Sequence, residues 1–106
     1  MSERIRHLLS ELKSRLHDLY GDRLRGLYLF GSHARGEAVA ESDVDVLIVL
    51  DHVDRYSDEI ELTSEAVSGV SLKYGVSVSV VFASEQQWHQ DAALFFQNVR
   101  EEAIPA

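Results

Sequence analysis

The sequence predicts an α/β (α+β) fold: a small mixed β-sheet with helices packed mainly on one face. Three observations point to it. Two apolar runs, residues 26–30 and 46–50, lie close together in the first half of the chain, with a strand-to-turn-to-strand character. A third run, residues 76–82, alternates with period two. Amphipathic helical stretches precede the first run and separate the second from the third. At 106 residues the chain is sized for one domain, residues 1–106, with one real core.

Each element has its own justification. Ile5, Leu8, Leu9, Leu12, Leu16 and Leu19 recur at helical spacing over residues 3–20, and Gly21 supplies a stop. Residues 26–30 read as the first strand, residues 32–36 as a tight turn with room for one helical turn, and residues 37–42 as a loop of small and acidic residues. The second strand covers residues 43–50, and its short link to the first permits antiparallel pairing. Ser57 is a suitable N-cap for a helix reaching Tyr74, with Ile60, Val67, Val70 and Tyr74 on its apolar face and Gly75 ending it. That helix fits a crossover to a parallel third strand. There Val76, Val78, Val80 and Phe82 share one face, and Ser77, Ser79 and Val81 the other. Ser84 and Gln87 make a capping box for a helix holding Trp88, a last helix spans residues 92–102, and Pro105 lies beyond it. The helix-free sheet face is the expected site side.

Composition narrows the function. The formal net charge is −8, from 18 acidic and 10 basic residues, which weighs against binding large nucleic acids through their phosphates. It does not weigh against a nucleotide held through a cation. A basic protein partner would be steered toward such a surface, although solubility alone also explains the charge. There is no cysteine, so disulfides and thiolate metal sites are excluded. No apolar run is long enough to span a membrane, and the opening MSERIRHLL lacks a secretory apolar core. A cytoplasmic location is the default expectation.

The chemistry concentrates in LYLFGSHARGEAVAESDVDVLIVL, residues 27–50. Gly31-Ser32 ends one strand, and ten residues later Asp43-Val44-Asp45 opens the next. Carboxylates one residue apart on a strand point the same way, and paired acids suit Mg²⁺. A Gly-Ser elbow can offer backbone N–H groups and a hydroxyl to phosphates. The plainer reading is a turn, an acidic loop and a core strand. Against it, Asp45 falls inside an apolar pattern, where an unpaired charge is costly. Arg35 is a candidate phosphate ligand through its forked donors; alternatively it is solvated or pairs with Glu37 or Glu41. His33 reads as a surface residue of the turn. The five histidines show no paired zinc spacing. Of Leu94, Phe95 and Phe96, at least one is expected to stay exposed or to be covered by another chain.

The stretch FGSHARGEAVAESDVDVLIVL resembles the signature of the DNA polymerase β-like nucleotidyltransferase superfamily: Gly-Ser, ten residues, Asp-x-Asp. The chain length is similar to that of its minimal nucleotidyltransferases (MNT). The resemblance implies a polymerase β-like fold, with Asp43 and Asp45 as catalytic residues and ligands of Mg²⁺, two ions when nucleotide is bound. Gly31 and Ser32 would hold ATP, with Arg35 beside them. It also implies an antitoxin role opposite a HEPN ribonuclease toxin in a homo- or hetero-oligomer, with AMP transferred from ATP to a toxin tyrosine. The family's third acid, on a later strand, falls here on Ser79, or less readily on Ser77. Serine cannot replace a carboxylate as general base. Either another acid such as Glu85 or Asp91 swings in, or the partner supplies one, or the chain neutralises its toxin by binding with little or no catalysis.

Overall fold

The computed structural model describes all 106 residues, Met1 to Ala106. Helix α1 (Glu3–Tyr20) is followed by a single 3₁₀ turn (Gly21–Arg23), strand β1 (Leu24–Phe30) and the four-residue helix α2 (Ser32–Arg35). Strand β2 (Val44–Leu50), helix α3 (Tyr56–Tyr74) and strand β3 (Val78–Ser84) come next. Helices α4 (Glu85–Gln90) and α5 (Leu94–Glu102) and strand β4 (Ile104–Pro105) complete the chain. The sheet order is β3-β2-β1-β4. Strands β1 and β2 are antiparallel, β2 and β3 parallel across the α3 crossover, and β4 antiparallel to β1. This is the mixed sheet the sequence predicts. No helix is long and apolar enough to cross a membrane.

Strand β2 lies inside the sheet and is covered on both sides, which is why it reads as an almost unbroken apolar run. Val44, Val46, Ile48 and Leu50 enter the main core with α1 and Val70 of α3. Leu47 and Val49 face a smaller cluster with Ala83, Trp88 and Val99. The two long helices therefore occupy one face, as expected. The second face is not bare: α4 and α5 cover part of it and leave its N-terminal β2 end accessible.

Local readings shift at several places. Leu19 leaves the α1 stripe and is 41% exposed, while Tyr20 is buried in its stead. The reason is polar: the Tyr20 hydroxyl donates to Glu59 Oε1 at 3.0 Å. Arg23 Nη2 donates to the other Glu59 oxygen at 3.0 Å, so this deeply placed carboxylate is partnered on both oxygens. Burial, reinforced by the Glu59 charge, pushes the Tyr20 hydroxyl well above its usual range. The same network rotates α3. Glu59, Thr63, Ala66 and Val70 form its buried line, and Ile60 is 50% exposed. The helix also starts one residue before Ser57, with Arg55 at the cap position and no side-chain cap. Ser84 and Gln87 do form a capping box. Strand β4 was not anticipated. Pro105 sits opposite Tyr28 on the sheet edge, where a missing N–H does no harm.

These placements separate two leucines three residues apart. Leu16→Ala, at a fully buried position, should cost about 2–5 kcal/mol in denaturant unfolding. Leu19→Ala should stay within about 0.5 kcal/mol of wild type.

Candidate active site

The antiparallel register sets Phe30, the last residue of β1, opposite Asp45 of β2. The next residue must turn the chain away, and Gly31 does so at φ +75°, a left-handed conformation that side chains rarely tolerate. Gly31 also lies directly under the Asp45 carboxylate. A Cβ there would collide with Asp45 Oδ2. Only glycine answers both demands.

Strand β2 begins at Val44, so Asp43 stands just outside it, exposed, and Asp45 just inside, half-buried. Val44 between them is fully buried. Its anchoring in the main core turns the flanking acids toward the opposite, accessible side. No ion pair of the chain involves Asp43 or Asp45. Desolvation and then the Asp43 charge push the Asp45 carboxyl above its usual range, Glu102 adds to this, and His33 and Arg35 partly offset it. Two uncompensated carboxylates side by side fit a hard divalent cation, which takes oxygen ligands and cancels their repulsion. The pair stands alone: no group of three or more His, Cys, Asp or Glu comes together anywhere in the chain to hold a metal ion.

Around this pair the α2 turn is tied down from several directions. Arg35 N–H donates to Gly31 O at 3.1 Å and Glu37 N–H to Ser32 O at 2.9 Å. A ring nitrogen of His33 lies 3.3 Å from the Ser42 carbonyl, joining the turn to the base of β2. His33 is half-buried in this bridge, more than the surface residue of the sequence reading. The Arg35 guanidinium is divided between Glu37 Oε1 at 2.7 Å and Glu102 Oε2 at 2.9 Å, and Glu41 takes no part. Both acids hold it firmly protonated. The same Glu102 oxygen accepts the Gly31 N–H at 3.1 Å. Glu102 was missed by sequence reasoning. It is 71 residues from Gly31, and only an acid at the C-terminal end of a helix, where the helix dipole disfavours it, could have drawn notice.

Ser79 is the direct partner of Asp45 in the parallel β2–β3 register, on the same sheet face and exposed. Ser77 precedes β3 and spends its carbonyl on the Val44 N–H at 2.8 Å. Glu85 follows the far end of β3, about 20 Å along the strand from Ser79, and lies 3.7 Å from Arg25. Asp91 caps the Ala93 N–H at 2.8 Å. Glu85 is thus distant from Asp45, and Asp91 is engaged at the α4–α5 link. In α5, Phe96 packs on the smaller cluster, Phe95 stacks edge-on against Phe30, and Leu94 is exposed.

A family model described as nucleotidyltransferase domain matches residues 9–102. The chain belongs to that family. Among nucleotidyltransferase relatives, MJ0604 of Methanocaldococcus jannaschii, named provisionally as a protein adenylyltransferase, is 37% identical over 99 residues, covering 92% of this chain and 89% of the relative. Protein adenylyltransferase MntA of Thermococcus cleftensis is 34% identical over 89 residues, covering 74% of this chain and 88% of that one. A crystal structure of a toxin–antitoxin with AMP-PNP superposes with TM-score 0.63 at 18% identity, over 98% of this chain and 72% of the other, and shares the fold.

The raised Asp45 carboxyl has a consequence for stability. Above that raised value the ionised carboxylate disfavours the folded state, and protonation relieves it. In EDTA at pH 7, Asp45→Asn should therefore raise the melting temperature by a few degrees, and the gap should close as pH falls into the carboxylate range. Gly31→Ala should lower it at every pH, because the added Cβ meets Asp45 and the left-handed backbone together.

Proposed function

We propose that residues 1–106 act as one domain that transfers AMP from ATP to a protein hydroxyl and thereby serves as the antitoxin of a toxin partner. The observation that carries the reading is the unpaired Asp43–Asp45 couple set against the Gly31 elbow. Asp43 and Asp45 would hold Mg²⁺, and the ion, when bound, supplies charge neutralisation for the triphosphate and lowers the barrier to attack at the α-phosphate. Gly31 lets the backbone approach the phosphates, Ser32 offers a hydroxyl to their β/γ end, and Arg35 offers its fork. The acceptor hydroxyl attacks the α-phosphorus, the bond to the β-phosphate breaks, and pyrophosphate leaves. The protein's part is mainly positioning.

The relatives' names agree with this direction. One is called a protein adenylyltransferase and MntA, and a neighbour of the same fold is described as a toxin–antitoxin with AMP-PNP. The acceptor we favour is a tyrosine of a HEPN-type toxin, met as a hetero-oligomer in the cytoplasm. A second reading rests on Ser79. With a hydroxyl where Asp45 would meet a third carboxylate, proton removal from the acceptor lacks a strong base. The chain would then neutralise its toxin by binding, with weak turnover or none.

The two readings separate in one experiment. The protein is incubated with α-labelled ATP and Mg²⁺, with and without its co-expressed partner, and each chain is examined for label. Transfer that disappears in Asp43→Asn and Asp45→Asn, by about a hundredfold or more, supports the enzyme. Neutralisation of the toxin with no label on either chain supports the binder. Ser79→Asp should raise a weak transfer rate, read as initial velocity under saturating Mg²⁺, and an unchanged rate would argue against Ser79 as the third-acid position.

A further inference from the structure

Both groups of the elbow best suited to an anion are already engaged by the chain's own carboxylates. The Gly31 N–H and Arg35 Nη1 converge on a single oxygen, Glu102 Oε2, at 3.1 and 2.9 Å. An oxygen receiving a backbone N–H and a guanidinium N–H at once is bound as a phosphate oxygen would be. Glu102 has little other reason to be there. It closes α5, where a negative charge opposes the helix dipole, and it adds negative charge beside Asp45. The residues that follow are pinned, with Ile104 opposite Leu29 and Pro105 opposite Tyr28. Release of the contact is therefore a side-chain rotation into solvent and not a displacement of the helix end.

We propose that Glu102 is an internal occupant of the phosphate seat, holding the Gly31 N–H and the Nη1 arm of Arg35, and that a nucleoside triphosphate binds only by displacing it. This rests on the nucleotide reading above. Glu102 is then a gate on affinity: it keeps the elbow shaped and its donors satisfied, and it makes nucleotide entry a competition. A triphosphate brings several oxygens and its accompanying cation to the exchange, whereas a lone anion brings neither advantage.

Calorimetric titration of the full chain with AMP-PNP and Mg²⁺ tests this, using wild type, Asp45→Asn, Glu102→Gln, Glu102→Asp and the neighbouring charge control Glu101→Gln. Glu101 is exposed on the same turn. The expected result is tightening of about fivefold or more in Glu102→Gln, from the loss of a charge-assisted competitor, with a smaller change in the same direction for the shorter Glu102→Asp. Glu101→Gln should stay within about twofold of wild type. A residue serving only to hold the loop would weaken binding when replaced, so the sign of the change decides. If wild type binds, Asp45→Asn abolishes binding, and Glu102→Gln is unchanged or weaker, the gate is overturned while the nucleotide reading stands. Equal tightening in Glu101→Gln and Glu102→Gln also overturns the gate, since bulk charge then explains both. If no variant binds at millimolar nucleotide, both readings fall together. Should Glu102→Gln misfold, Glu102→Asp gives the same reading.

Discussion

The structure turns on Val44. Its side chain is fully buried in the main core, and the acids on either side of it have no freedom to share that burial. Strand alternation sends Asp45 to the opposite face, and five core residues from Val46 to Leu50 hold the strand in place behind it. The position of one carboxylate is thus fixed by the packing of its neighbours and not by contacts of its own. Gly31 completes the constraint from the other strand. Any larger residue would push against Asp45, so the elbow and the acid are sized to each other. A pre-set carboxylate of this kind needs no reorganisation when its counter-charge arrives, which is the usual basis of electrostatic preorganisation.

The charges around that point are unbalanced. Glu37 and Glu102 pair with Arg35, and Asp43 and Glu102 both add negative charge beside Asp45, within a chain of net charge −8. A polyanion approaching alone would meet repulsion on most sides and a single guanidinium already shared between two acids. With divalent cations the same ground becomes attractive, because each ion cancels acidic charge and presents positive charge to phosphate. The arrangement therefore favours ligands that carry cations with them over free anions of similar size. The negative surface has the same bearing on macromolecules, since long nucleic acids gain most of their affinity from Lys and Arg.

Much of this architecture was legible in the sequence because it is local. Period-two alternation, the capping box at Ser84 and Gln87, the glycine stops and the crossover helix are all short-range signals, and the antiparallel β1–β2 and parallel β2–β3 pairings agree with them. The Gly31 elbow and Asp43–Asp45 belong to the same class, being one strand-turn-strand unit. What escaped detection depends on distant pairings. Tyr20 replaces Leu19 in the core because a partner on α3 satisfies its hydroxyl, and no helical period reveals a hydrogen bond across 39 residues. The two-residue β4 is too short to carry a pattern, and Glu102 reaches Gly31 only once α5 has packed on the second face. His33 gained its role from the loop that returns to Ser42.

Glu59 of α3 and Asp45 of β2 show how one chemistry is resolved in two ways within a single chain. Glu59 is the more buried, at 6% exposure, yet both of its oxygens are partnered, by Tyr20 and by Arg23. Its burial is consistent with architecture, since removing any member would strand the others in a poorly solvated place. Asp45 is less buried but has no ion-pair partner, lies beside a second acid, and bears a carboxyl shifted toward its neutral form. Packing alone would be better served by an apolar or amide side chain there. An unpaired carboxylate placed against the interest of packing, at the mouth of the most buried strand, is the observation on which the proposed cation-binding role of Asp45 rests.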